Sequence, residues 1–183
     1  MEQVRDSKSI ARRALALFGA IGVALGSPRT EVLNWLTVEG LWDELSPVEA
    51  TFLSADQPTR QQVVDATWWS ERLIILLWAL GKIAQLPAPD TQCDTGRFQD
   101  LLPPFTNISV AEFIASAVCR SEQELWCMAD KLMGFHWKAR DAAIDAKTCE
   151  VSIDIEIVQE RHHAINWVVG YKGLSWDDVT TDT

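Results

Sequence analysis

Four short strings constrain this chain more than any other feature: Ser46-Pro47-Val48-Glu49, Thr59-Arg60-Gln61-Gln62, Ser109-Val110-Ala111-Glu112 and Ser121-Glu122-Gln123-Glu124. Each sets a Ser or Thr three residues before a Glu or Gln. At that spacing the two side chains reciprocally satisfy amide groups that have no partner in the first turn of a helix. Ser27-Pro28 marks a fifth start, because proline at the first helical position gives up only an amide that would lack an intrahelical partner. Read with the apolar periodicity, these signals predict helices near residues 7–25, 28–39, 47–54, 60–86, 110–118, 122–146 and 154–170. The expected fold is all-α, a single-domain irregular bundle of about seven helices. A Pro-, Asp- and Thr-rich loop near 87–108 is expected to interrupt it, with a short helix around Phe98 to Leu102.

One stretch reads two ways. Val151-Ser152-Ile153-Asp154-Ile155-Glu156-Ile157 alternates apolar and polar like a half-buried strand, but no other segment offers it a partner. Ser152 or Asp154 can instead cap a helix, with Glu156 suiting its positive end, and helix is the favoured reading.

At 183 residues, 48% hydrophobic and 23% charged, the chain fits an ordinary globular protein with a sizeable core. Its net charge of -10 disfavours nucleic acid and anionic lipid, whose binding depends on Lys and Arg. A basic protein is the better electrostatic match. Cys93, Cys119, Cys127 and Cys149 show neither a CxxC pair nor zinc-ligand spacing, so they read as reduced thiols and point to the cytoplasm. Against that, Arg12-Arg13 before the apolar run Ala14 to Leu25 mimics a secretory signal; the alternative is a first helix starting after Asp6 or Ser7. Leu73 to Leu86, broken by Lys82, is too short for a membrane span, and no membrane association is expected.

The strings RRALAL (Arg12 to Leu17), LSPVEATFL (Leu45 to Leu53), ERLIILLWALG (Glu71 to Gly81), HWKARDA (His136 to Ala142), ERHHAINW (Glu160 to Trp167) and WDDVTTDT (Trp176 to Thr183) together resemble the domain-of-unknown-function 4272 family. The likeness spans nearly the whole chain, and the last three strings in that order are its specific part. The resemblance implies a bacterial, soluble, single-domain protein and supplies no mechanism. It also places RRALAL inside the folded domain rather than in a signal.

Chemistry concentrates in the last quarter. If the helices bearing His136 and Arg140, and Glu160, His163 and Trp167, pack together, then His136, Arg140, Glu160 and His163 form a polar cluster. It would suit general acid/base work, a small anion or a metal. No second Glu-x-x-His accompanies Glu160-x-x-His163, and there is no HExxH, so no metal or other cofactor is expected. The plainer reading makes these residues hydrogen-bonded structure. In it Glu160, Arg161, Asp177, Asp178 and Asp182 form a charge-paired latch that fixes a C-terminal tail whose anchor is Trp176, worth about 2 to 3 kcal/mol buried. Of nine tryptophans, Trp35, Trp42, Trp68, Trp69, Trp78, Trp126 and Trp137 sit in apolar stretches and are mostly expected in the core. Trp42, Trp68 or Trp69 are candidates for a partner interface. Glu71 beside Trp68 and Trp69 is either a satisfied buried carboxylate or a site acid.

No nucleophile elbow, phosphate-cradling glycine loop or dinucleotide fingerprint is present. The expectation is an intracellular, non-catalytic protein-interaction module, in its specific form an immunity-like binder of a basic toxin domain. The rival is an enzyme or ligand-binding domain built on His136, Arg140, Glu160 and His163.

Overall fold

In the computed structural model, which describes residues 3–145 and 152–182, seven α-helices form: α1 Ser7–Ala24, α2 Arg29–Val38, α3 Pro47–Ser54, α4 Arg60–Ala79, α5 Val110–Ala115, α6 Glu122–Asp145 and α7 Ile155–Val168. Short 3-10 turns occupy Trp42–Glu44, Thr95–Asp100 and Tyr171–Gly173, and no strand occurs among the described residues. The protein is an all-α bundle with its C-terminal tail packed back on the helices.

Six of the seven helix starts obey their local chemistry; the exception is α2, which begins at Arg29 with Pro28 at the N-cap position and no side-chain cap, not with Pro28 as its first residue. Ser46, Thr59 and Ser109 each close a full capping box. So does Ser121, whose amide donates to Glu124 at 3.0 Å while its hydroxyl accepts from the Glu124 amide at 3.3 Å. Asp6 accepts from the amides of Lys8 and Ser9 to start α1. Asp154 does the same for Glu156 and Ile157, so the ambiguous stretch enters α7 at Ile155, while Val151 lies outside the described residues.

The long fourth helix stops earlier than its apolar run suggests, at Ala79 rather than 86. Gly81 at φ 66° turns the chain left-handed, so that its amide reaches the Trp78 carbonyl and the Lys82 amide reaches the Leu77 carbonyl. That closure satisfies the last carbonyls and ends the helix whatever the hydropathy beyond it. The 3-10 turn Thr95–Asp100, initiated by the Asp94 side chain, stands where a short helix over Phe98 to Leu102 is expected and delivers Phe98 to the core.

α4 lies between α1 and α7, α6 covers another side of α7, and α2, α3 and α5 pack on α1. One apolar cluster joins these layers, from Ile10, Leu15 and Leu17 through Leu73, Ile75 and Leu77 to Ile165, Val168 and Trp176. Of the run Ala14 to Leu25 that mimics a signal, Ala14, Leu15, Leu17, Ala20 and Ile21 belong to it, whereas the end of the run rises to the surface at Leu25. No helix among the described residues is long and apolar enough to cross a membrane.

The N-terminal segment is strapped to the end of α7. Arg5 donates to the carbonyls of Trp167 at 2.9 Å and Leu174 at 2.7 Å, with its guanidinium 4.3 Å from the Trp167 ring centre. Gly170, at φ 75°, lets the strap close, because a Cβ there would stand 2.1 Å from the Gln3 carbonyl oxygen. Gly170→Ala should therefore cost about 2 kcal/mol or more in urea unfolding, since left-handed strain and displacement of the strap add. Gly81→Ala, equally left-handed but with open space at its Cβ, should cost only about 1 kcal/mol.

Candidate functional site

α7 is buried almost all round from Arg161 to Val168, although Arg161, His162, His163 and Asn166 are polar. Such a helix is tolerated only if each polar group finds its own partner on a different neighbour. Arg161, 1% exposed, turns to α4 and the following loop. Its Nε donates to Glu71 at 2.9 Å, one terminal nitrogen to the carbonyls of Pro87 and Ala88, and the other to that of Thr91 at 2.8 Å. The second Glu71 oxygen accepts from the Cys93 amide at 2.7 Å. Glu71 is thus a satisfied buried carboxylate, and together with Arg161 it holds both ends of the 87–93 segment.

His162 turns to α6. Its Nδ1 lies 3.2 Å from Nδ1 of His136, and its Nε2 lies 3.1 Å from the Asn166 amide nitrogen. That nitrogen also donates to the Thr180 carbonyl, and this fixes the orientation of the amide. Protons then follow in order: Asn166 donates to Nε2 of His162, so His162 carries its proton on Nδ1 and donates to Nδ1 of His136. Burial, then the neighbouring His136, push His162 down to about 4, against attraction from Asp182. His136 is lowered by burial and then by the charge of Arg140.

His163 turns to the tail. Its Nε2 donates to the Trp176 carbonyl at 2.9 Å, and the Trp176 indole meets it edge-on at 5.0 Å between ring centres. Trp167 packs edge-on against the same indole, and the Arg13 guanidinium lies 4.2 Å from the Trp176 ring centre. Arg13 is in turn paired with Glu49 of α3, inside the core. Arg72 of α4 pairs with both oxygens of Glu160. Burial first, then the cations Arg72 and Arg13, drive His163 down to about 3. It is a neutral donor at physiological pH.

The four expected site residues are therefore divided. His136 meets His162, a residue outside the expected cluster, while Glu160 is held by Arg72 and His163 by the tail. Arg140, exposed, enters through its charge on His136. Trp176 is the expected anchor, 5% exposed. The rest of the latch differs: Arg161 is spent on Glu71, a buried acid nearer than any in the tail. Asp177 accepts from the Val48 amide at the start of α3, Asp178 from the Ser175 hydroxyl, and Asp182 pairs with Lys172. Among the interface candidates, Trp42 is 37% exposed and Trp68 half-buried, but Trp69 is core, edge-on to Phe52. Trp137, expected inside, is 56% exposed. Arg13, Glu49 and Arg72 were equally unmarked, because nothing local distinguishes an inward arginine from an outward one.

No group of three His, Cys, Asp or Glu able to hold a metal occurs among the described residues. Cys93 is pushed up to about 12 by burial and then by Glu71, so it is a packed thiol rather than a nucleophile. Cys119 is raised by burial as well, and Cys149 lies outside the described residues.

Outside the core, one edge stands out. Residues 36–56 carry Glu39, Asp43, Glu44, Glu49 and Asp56 and no base. Glu49 is consumed by Arg13, Asp56 pairs with Arg29, and Glu44 lies 3.6 Å from the guanidinium of Arg12 on α1. Val38, Trp42 and Val48 are exposed along the same edge, and Leu33, Thr37, Gly40, Trp42 and Asp43 line a shallow groove in it.

Two outcomes follow from the buried polar groups. Arg161→Met leaves Glu71 charged and unpaired, so it should cost about 3 to 5 kcal/mol, whereas adding Glu71→Leu should recover part of that loss in a double-mutant cycle. For the histidines, a folded pKa below the ordinary 6.5 means that the unfolded chain binds protons first. Stability is full above about pH 6.5 and falls as the pH drops toward 4. Between pH 7.5 and 5.5, His162 and His163 together should remove about 3 kcal/mol, measured by urea midpoints, and a His162→Asn/His163→Gln variant should flatten the profile.

Neither the curated proteins nor the solved structures gave a match. A family model does: the one described as a domain of unknown function, DUF4272, matches residues 1–179 of the 183. The specific strings ERHHAINW and WDDVTTDT supply the buried helix and the folded-back tail just described, and the chain belongs to the DUF4272 family.

Proposed function

We propose that this protein is a non-catalytic, cytoplasmic binding module that docks a basic protein through the acidic edge formed by α2, the Trp42–Glu44 turn and α3. The observation that carries the reading is the composition of that edge: Glu39 and Asp43 face outward beside exposed Val38 and Trp42, with no base among residues 30–56. An aromatic anchor beside acids that outnumber the local bases, Arg12 and Arg29, is the arrangement that steers an oppositely charged partner and then holds it. The net charge of -10 extends that field over the whole molecule.

What favours a surface role over catalysis is the state of the reactive side chains. His162 and His163 are buried and neutral, Glu160 is paired, and the Cys93 thiol is inert. A cytoplasmic setting accords with Cys93, Cys119 and Cys127 being free thiols. An immunity-like role, masking a basic toxin domain, is the specific version suggested by charge and size.

The test is affinity capture from the source cell with wild-type protein, Trp42→Ala and Glu39→Lys/Asp43→Lys as baits. Both variants change exposed positions and should fold. Wild type should retain a basic protein that is released by raised ionic strength, with retention reduced about tenfold by either variant. Equal capture by all three baits, or no basic protein retained by wild type, would remove the reading.

A further inference from the structure

The other flank of α2 faces a different feature. Pro28, Glu31, Val32 and Trp35 recur at helical spacing and look onto a cavity of about 480 Å³, closed by α1 and by the chain from the 3-10 turn Thr95–Asp100 to Phe105. Its size lies within the range of small-molecule sites. Four aromatic side chains line it: Phe18, Trp35, Phe98 and Phe105. Phe18 and Phe105 meet at 82° with ring centres 6.1 Å apart, forming a corner. Phe105 remains 59% exposed, a large ring left at a mouth rather than drawn into the core. Glu31 is the only charged residue in the lining; the other polar side chains there are hydroxyls and one amide.

The sequence also keeps this space open. Gly19 is needed for packing, since a Cβ there would press on Leu36 at 3.1 Å. Gly22, one turn on, has no such need: a Cβ would meet its nearest neighbour, the Ser27 hydroxyl, at an ordinary 3.4 Å. Its backbone is helical, so the chain bears a glycine inside a helix where alanine would fit and would favour the helix. What glycine provides at this position is an uncovered cavity wall.

We propose that this cavity binds an organic cation, an ammonium or guanidinium group carried on an apolar body. Aromatic faces attract cations through their quadrupole, and a carboxylate at the same site selects that sign over a neutral or anionic ligand of equal shape. The apolar lining takes the body of the ligand. The proposal is independent of the acidic edge, since it needs no protein partner and uses the opposite flank of α2.

Three near-isosteric probes test it: phenylethylammonium, phenylethanol and phenylacetate, titrated by calorimetry and by amide chemical shifts. The cation should bind with millimolar affinity or better and shift amides of α1, α2 and the 95–105 segment. The alcohol should bind more weakly, and the acid not at all. Glu31→Gln should weaken the cation by about fivefold while leaving the alcohol unchanged. Gly22→Leu should abolish binding of both without loss of stability, because it fills the wall and improves the helix. Glu39→Lys/Asp43→Lys should leave the titration close to wild type, which separates this site from the edge. A blocked Phe-Lys dipeptide binding more tightly than the free amine would identify the source of the cation as a protein side chain, and the reverse order a free metabolite amine. Equal affinity for cation and alcohol, no effect of Glu31→Gln, or no binding of phenylethylammonium would overturn the proposal.

Discussion

The contact on which the rest of this structure depends is the ion pair between Glu71 and Arg161, 90 residues apart and each 1% exposed. Removing two charges from water is expensive, and the attraction between them offsets that cost only when the remaining donors and acceptors are also satisfied. Here they are, because Arg161 donates to three carbonyls of the 87–91 chain and Glu71 accepts from the Cys93 amide. The pair therefore fixes α4 against α7 and the long internal loop against both. Any other packing of the two helices would strand a buried charge, so the contact specifies the arrangement more than it stabilises it.

Around that pair, α7 directs its polar side chains to three different neighbours, and the atom left over is Nδ1 of His163, buried without a hydrogen-bond partner. Arg161 faces α4, His162 faces α6, and His163 faces the tail, with Asn166 linking the second and third of these directions through Thr180. Polar side chains on a buried helix read naturally as an active site; here their hydrogen bonds also tie the helix to α4, α6 and the tail. The tail depends on them: the Trp176 carbonyl is held by His163, and its indole lies between Arg13 and Trp167. The two arginines near His163 are each neutralised by a glutamate, yet their charge still opposes its protonation.

How far the sequence disclosed this follows from the range of each interaction. Capping is a matter of three residues, so Ser46, Thr59, Ser109 and Ser121 could be read directly, and Asp154 could be seen to compete with a strand pattern. The stop at Ala79 is local too, but it is carried by the left-handed Gly81 against an apolar run that continues to Leu86. Pairings across the fold are another matter. Nothing near Arg161 shows that Glu71 will reach it before the tail acids do, and His162 gave no signal beyond Asn166 one turn on. Trp69 and Trp42 have similar local settings, yet one packs on Phe52 and the other is exposed, because the difference lies in which helix arrives to cover them.

α2 differs from the other long elements in how little of it enters the core. Of its ten residues only Leu36 is buried, whereas α1 and α7 each bury ten. A helix that gives one side chain to the core contributes little to stability through burial, so its remaining faces are free to be shaped by other demands. One flank carries Glu31 and Trp35 into an aromatic cavity, and the other carries Leu33 and Thr37 into a groove beside Trp42 and Asp43. Both flanks combine apolar surface with negative charge, which is why a cationic partner is proposed for each. The interior of the bundle can then be read as a rigid support, and α2 as the element it holds out to solvent.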